Sequence, residues 1–362
     1  MSLIYFEPDR LRQARQLAML TKKEVAERSD VSPAAIGQYE AGIVAPRLDT
    51  VERLARALDV PIEFFSPGRP LQRLESSETH FESLRATTAK QRSRATAFAE
   101  QVWELSHALE AHVRFPDVDL PEDLAEIGRG EGPQAAARSL RAAWGLGSQP
   151  VGHLVAHLEA RGIICCLAPP TEDGTPRIDA YSTLSFRRPL IVLTSDRADD
   201  VLRHRFSAAH ELGHLVLHGA APSGDLRLER EADAFAAEFL TPETTLLEEL
   251  KPRLDFAHLY LLSERWGVAV KSLVFRSHEL GLISESTARR AYIRLASAPQ
   301  TLRPILQFQG EVPSLLNDAV DLAESRGVTV GSLAEQLRWK TKQVRQLLGL
   351  HEDTRPALRV VK

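Results

Sequence analysis

The run His210-Glu211-Leu212-Gly213-His214 demands a helix. Two imidazoles four residues apart share a face where the backbone turns about 100° per residue. On such a helix one metal ion can take a nitrogen from each ring. Glu211 then stands beside the ion's open coordination position, where a general base takes a proton from water. The surrounding residues suit a buried helix from about Asp199 to His218. Phe206, Ala208, Ala209, Leu212, Leu215, Val216 and Leu217 form its apolar shell. A surface helix with incidental histidines would not carry that shell.

Two histidines leave zinc short of protein ligands. The next helix is expected over Glu229 to Leu240, with an apolar face through Ala232, Phe235, Ala236, Phe239 and Leu240. Glu229 lies about 50° from the centre of that stripe, whereas Glu231 lies about 110° away on the solvent side. Glu229 is therefore the expected third ligand and Glu231 the alternative. Asp233 is placed to hydrogen-bond a ligating histidine. His218 continues the four-residue series, but eight helical residues span about 12 Å, too far for it to share an ion with His210. It is expected to be a helix-end histidine without catalytic duty, or one that orients substrate.

An amphipathic helix over Val151–Arg161 and strands over Ile163–Leu167, Ile178–Ser185 and Pro189–Leu193 precede the motif. Pro189–Thr194 is the candidate edge strand along which a substrate backbone would align.

Residues 8–67 read as short helices. Leu11, Ala14, Leu17 and Ala18 form the first stripe. Thr21 with Glu24 makes a capping box for the second helix. Ser32 caps a third, with Pro33 at its first position, and Gly42 stops it. Pro46 precedes a fourth. Two short helices joined by a tight turn in a small bundle are a helix-turn-helix arrangement, whose second helix enters the major groove. Ser32, Ala34, Ala35 and Gln38 could reach base edges or backbone, and Gln38 could pair with adenine. Lys22, Lys23, Arg28 and Arg47 are the candidate phosphate contacts. Against this, residues 1–66 hold nine Lys/Arg and ten Asp/Glu, a weak electrostatic footprint for DNA. A protein-docking or dimerisation bundle is the alternative.

With Val25-Ala26, Ile36, Tyr39-Glu40, Gly42 and Pro46 in register, residues 9–66 resemble the XRE/Cro-type helix-turn-helix. The run from Arg205 to His218, followed by Glu229-x-x-Ala232-Asp233-x-Phe235-Ala236 and Thr241-Pro242, resembles the ImmA/IrrE-like zinc metallopeptidases of the gluzincin group, over roughly residues 135–295. Ser207 stands where threonine is common, and Asp233 where asparagine is frequent. The resemblance implies limited cleavage of a protein such as a repressor, in stress or mobile-element control.

The expected fold is mainly α, in four segments. Residues 1–68 form the helix-turn-helix bundle and 69–134 a helical connector. Residues 135–295 form an α+β zincin-like domain with a small sheet, and 296–362 a helical C-terminal extension. In the extension, Arg338, Lys340, Lys342 and Arg345 suggest either a second nucleic-acid surface or a packing hairpin. The last dozen residues are expected to be loose. The chain of 362 residues, 43% hydrophobic and 26% charged, has the balance of a soluble globular protein, and its net charge of −4 gives no global signal for nucleic acid. No apolar run approaches the ~18 residues of a membrane span, and the first residues do not read as a signal peptide. The adjacent Cys165 and Cys166 read as small core residues in a reducing, cytoplasmic, bacterial setting.

Two readings follow. One is a cytoplasmic DNA-binding regulator, expected as a homodimer on double-stranded operator DNA, that carries a zinc endopeptidase cutting a partner repressor or regulatory protein. The other is a transcription factor whose peptidase-fold domain senses or docks and cuts little. A purely structural zinc site is disfavoured, because such sites close the position that Glu211 flanks.

Overall fold

The computed structural model describes residues 5–75, 79–81, 88–168, 179–194, 200–219, 225–297 and 308–350. Helices α1 (Pro8–Leu17), α2 (Lys22–Ser29), α3 (Pro33–Glu40) and α4 (Leu48–Ala57) come first, closed by a 3-10 turn at Ile62–Phe65. Strand β1 (His80–Phe81) precedes α5 (Ala89–Glu110), α6 (Leu124–Glu131), α7 (Pro133–Ala143) and α8 (Leu154–Glu159). Strands β2 (Ile164–Ala168), β3 (Ala180–Thr183) and β4 (Leu190–Thr194) lead into α9 (Val201–Leu217) and α10 (Leu226–Leu240). Then follow α11 (Glu243–Glu249), α12 (Phe256–Trp266), α13 (Val270–Glu279), α14 (Glu285–Ala296), α15 (Leu315–Glu324), α16 (Val330–Leu337) and α17 (Thr341–Leu347). Among the described residues no helix is long and apolar enough to cross a membrane.

The chain divides into two compact units. One comprises residues 1–71, 100–114 and 316–362; the other comprises 72–99 and 115–315.

In the first unit, local chemistry sets the helix boundaries. The Thr21 hydroxyl accepts from Glu24 N, and the Glu24 carboxylate accepts from Thr21 N at 2.6 Å. The Ser32 hydroxyl accepts from Ala35 N. Val25, Ile36, Val51 and Leu54 are buried beneath these helices. Charged groups tie the bundle to the C-terminal half of α5. Arg10 reaches Glu104 at 2.7 Å, Arg69 reaches the same carboxylate at 2.8 Å, and Arg12 reaches Glu100 at 3.0 Å. Burial pushes the Glu104 carboxyl up and the Arg69 guanidinium down to about 10, while their mutual attraction opposes both shifts. The tail belongs to this unit too. Arg338 donates to the carbonyls of Ser66 and Pro67, at 2.8 and 2.7 Å, and Lys340 pairs with Asp59. Two of the four basic residues considered for a second nucleic-acid surface are thus engaged in packing, which favours the packing hairpin.

The second unit is built on a four-stranded sheet of order β1-β3-β4-β2. β4 pairs with β2 in parallel (Cys165 opposite Ile191) and with β3 antiparallel (Ser182 opposite Ile191). This corrects the edge-strand expectation for Pro189–Thr194. β4 is bonded on both sides, and all five of its residues are buried. A continuous apolar run of this kind is what an interior strand requires. The segment expected as a helical connector, residues 69–134, also contributes β1, because pairing with β3 captures residues 80–81. Helix α6 was not foreseen, since Gly128 and Gly130 weaken its pattern. A Cβ at Gly128 would come within 2.5 Å of Leu217, so the glycine lets α6 lie close to α9. Residues 82–87, which include the start of a basic stretch over 83–94, Ile178 and the last dozen residues fall outside the described set.

Helix α9 packs between this sheet and α10. The shared core includes Ala208, Leu212, Leu215, Phe235 and Phe239. Cys165 and Cys166 are free, buried thiols on β2, and burial pushes both up, with Glu159 adding to the effect. They are packing groups and poor nucleophiles.

Candidate metal centre

Helix α9 begins at Asp200, whose carboxylate accepts from the backbone N of Leu202 and Arg203. One turn further on, His204 and Arg205 anchor it. His204 Nε2 donates to the Glu311 carbonyl at 2.8 Å, and Arg205 pairs with the Glu311 carboxylate and donates to the Gly267 carbonyl at 2.9 Å. This fixes the helix's rotation, so that His210, Glu211 and His214 all point into the interior, each at most 2% exposed.

Burial holds His204 neutral, down to about 4 from its ordinary 6.5; the Glu311 carbonyl opposes the shift and Arg205 adds to it. The unfolded chain therefore takes up this proton at a higher pH than the fold does. Stability from this group is complete above pH 6.5 and falls as the pH drops toward 4. At 1.36 kcal/mol per pH unit the loss amounts to about 3 kcal/mol. We expect denaturation midpoints to decline across this window, and His204→Gln to flatten the decline. Equal slopes for the two proteins would contradict the assignment.

The structure brings His210, His214 and Glu229 together. The two Nε2 atoms are 3.1 Å apart, and the Glu229 oxygens lie 3.5 Å from His210 Nε2 and 3.6 Å from His214 Nε2. Tetrahedral zinc with bonds of about 2.0–2.1 Å separates its ligand atoms by roughly 3.3 Å. The donor set therefore fits zinc. The proton inventory agrees. Asp233 Oδ1 lies 2.9 Å from His210 Nδ1 and holds a proton there, so His210 Nε2 offers a lone pair toward the Glu229 carboxylate and the second ring. An electron-rich cluster of this kind calls for a cation.

Glu229 reaches the cluster from the first turn of α10 because that helix lies close to α9 at Gly213. A Cβ there would sit 3.3 Å from Ala232 Cα and 3.1 Å from Phe235 Cδ1. Any larger side chain would press α10 away from the histidines.

Glu211 is fully buried next to the cluster, and Ser182 Oγ donates to its Oε2 at 2.6 Å. Sequence reasoning missed Ser182. A serine in a short strand carries no signal of its own; its role comes from β3 lying against α9. The alternative ligand Glu231 is outside the cluster and meets His218 instead, with Oε2 3.1 Å from Nε2. His218, expected at the helix end, turns inward. Its side chain is buried, and its Nδ1 lies 2.9 Å from His214 Nδ1.

On the helix-turn-helix, Lys22, Lys23, Arg28, Ser32, Ala34, Gln38 and Arg47 are exposed and Ala35 is half-buried. Lys22 Nζ lies 3.4 Å from Glu40, which also binds Arg15, and the Ser32 hydroxyl is engaged in its cap.

Two family models match, one on each segment. Residues 11–65 match the helix-turn-helix model, and residues 167–278 match the IrrE N-terminal-like domain of the M78 peptidases. The chain joins a helix-turn-helix to an IrrE-type, metallopeptidase-like domain. The second match contains every residue of the histidine cluster. Among curated proteins, the chain is similar to multiprotein-bridging factor 1 of Candida albicans, at 39% identity over 61 residues, 17% of this chain and 40% of that protein. It is similar to the Debaryomyces hansenii protein of the same name at 38% over 61 residues, covering 17% and 41%. It also resembles vegetative-specific protein H7 of Dictyostelium discoideum, at 31% over 65 residues, covering 18% and 62%. The chain thus spans only about two fifths of the length of the two bridging factors.

Proposed function

We propose that this protein is a DNA-binding regulator whose IrrE-type domain is a zinc-dependent endopeptidase, acting on a partner repressor or regulatory protein in a bacterial stress or mobile-element response. The observation that carries this reading is the convergence of His210, His214 and Glu229 beside Glu211. Bound zinc supplies Lewis acidity toward a peptide carbonyl and water. His210, His214 and Glu229 hold it. Glu211 accepts the proton of the attacking water and returns it to the leaving amine. Ser182 orients the Glu211 carboxylate, and Asp233 keeps the His210 proton on Nδ1. Residues 1–68 bind the operator as part of a homodimer, and residues 135–295 carry the peptidase. The free thiols suit a reducing cytoplasm. Partner proteins compared in cells carrying the wild type and Glu211→Gln test the proteolytic claim. A partner that is shortened in both would oppose it.

One observation favours a second reading. Glu211 and His214 are both 0% exposed, so the domain could hold metal as a sensor or docking module with little cleavage. In that case Glu211→Gln leaves every cellular phenotype intact.

The DNA-binding half has its own test. Binding of the full-length protein to operator DNA is expected to weaken as salt rises. Arg28→Ala should lower the salt slope by about one, and Gln38→Ala should cost about 1–3 kcal/mol at a single adenine position. A mobility-shift assay without sequence-specific, salt-dependent binding would sink the regulator claim.

A further inference from the structure

We infer that His218 and Glu231 set the tautomer of His214, so that its Nε2 presents a lone pair and not a proton to the zinc site. The inference rests on the zinc reading above, and it adds two positioning residues to that site.

Helix α10 supplies a carboxylate to each ligating ring, by different routes. Asp233 meets His210 Nδ1 directly at 2.9 Å. The His214 Nδ1 is 2.9 Å from another imidazole nitrogen, His218 Nδ1. Only one proton fits between two nitrogens at that distance, and it can belong to either ring. If it belonged to His218, neutral His214 would carry its own proton on Nε2, directed at His210 Nε2 only 3.1 Å away. That arrangement blocks the metal. If it belongs to His214, the Nε2 lone pair is exposed to the cluster.

The far side of His218 decides between these. Its Nε2 lies 3.1 Å from Glu231 Oε2, and a carboxylate only accepts. His218 therefore carries a proton on Nε2, and as the neutral ring it leaves Nδ1 bare to accept from His214. Glu231 is held in turn by Arg227, whose Nη1 donates to Oε1 at 3.0 Å. The His218 side chain is 3% exposed, so this orientation is set inside the protein. Glu229 and Asp233, four apart, face His210, while Glu231 lies about 200° from Glu229 and reaches the next turn of α9 at His218.

The test uses the full-length protein labelled with nitrogen-15 in histidine. In the metal-free wild type, imidazole spectra are expected to show His214 protonated on Nδ1. His218→Leu and Glu231→Leu should each populate the Nε2-protonated form, and should lower Zn2+ affinity about 10- to 100-fold in competition with a chelator. His218→Asn, whose amide oxygen accepts from Nδ1–H, should recover most of the affinity, which a merely space-filling role would not predict. His214 protonated on Nε2 in the wild type, or unchanged Zn2+ affinity in both leucine variants, would overturn the inference. If His218→Leu does not fold, Glu231→Leu at its part-exposed position decides. Wild type that binds no Zn2+ would defeat the zinc reading itself, while the nitrogen spectra would still settle the tautomer.

Discussion

Glu211→Gln is expected to reduce peptide-bond hydrolysis about 10²- to 10⁴-fold while leaving the metal in place. The size follows from the role. Glu211 is not among the three clustered ligands, so the substitution removes no donor to the ion. Glutamine keeps the length of the side chain and can still accept from Ser182, so the packing of α9 on β3 survives. What is lost is a carboxylate able to take a proton and return it. A cleavage assay on the partner protein, run beside a metal determination, separates the two effects. Equal cleavage by the two proteins would remove Glu211 from the chemistry. Loss of cleavage together with loss of metal would show that the variant had damaged the site instead.

The second large effect is expected from Glu238→Ala, a change outside the cluster. Glu238 is fully buried on α10 and accepts from Arg276 of α13 at 2.6 Å, from Arg138 at 3.4 Å, and from the backbone N of Glu243 at 3.2 Å. Arg276 is 2% exposed and also donates to the Thr241 carbonyl at 3.0 Å. Removing the carboxylate takes one of two carboxylate partners from a buried guanidinium, which keeps Glu279 at 2.6 Å, and leaves the first N–H of α11 without that acceptor. Such a loss costs about 1–3 kcal/mol, a sizeable fraction of the ~5–15 kcal/mol that a domain has in total. Urea unfolding should show a lower midpoint at an unchanged slope. A midpoint within error of the wild type would mean that Glu279, already paired with Arg276, neutralises it alone at no cost.

Much of this architecture is legible in the sequence because it is written locally. Thr21 with Glu24, and Ser32 with Pro33, mark helix starts through hydrogen bonds that span three residues. The helical period places His210, His214 and Glu229 on facing sides of α9 and α10, and Asp233 one turn beyond Glu229. The features that escaped are those made by distant pairings. β1 exists because two residues pair with β3, about a hundred positions later. The interior place of β4 depends on strand order, although its unbroken Leu190–Thr194 apolar run was a hint against an edge. Ser182 gains its role only when β3 is laid on α9. The return of Arg338 to Ser66 and Pro67 spans about 270 residues, and no local pattern announces it. The contact of His218 with His214 escaped for a related reason. The distance of His218 from His210 excludes a shared ion, but says nothing of its contact with His214, one turn away.

The proposed zinc centre rests on three side chains, His210, His214 and Glu229. Its most direct test is the zinc content of the purified full-length protein and of Glu229→Ala, after dialysis against the same weak chelator. One zinc per wild-type chain, and a small fraction of that in Glu229→Ala at unchanged helix content, is the predicted result. No zinc in the wild type, or full retention in Glu229→Ala, would contradict it.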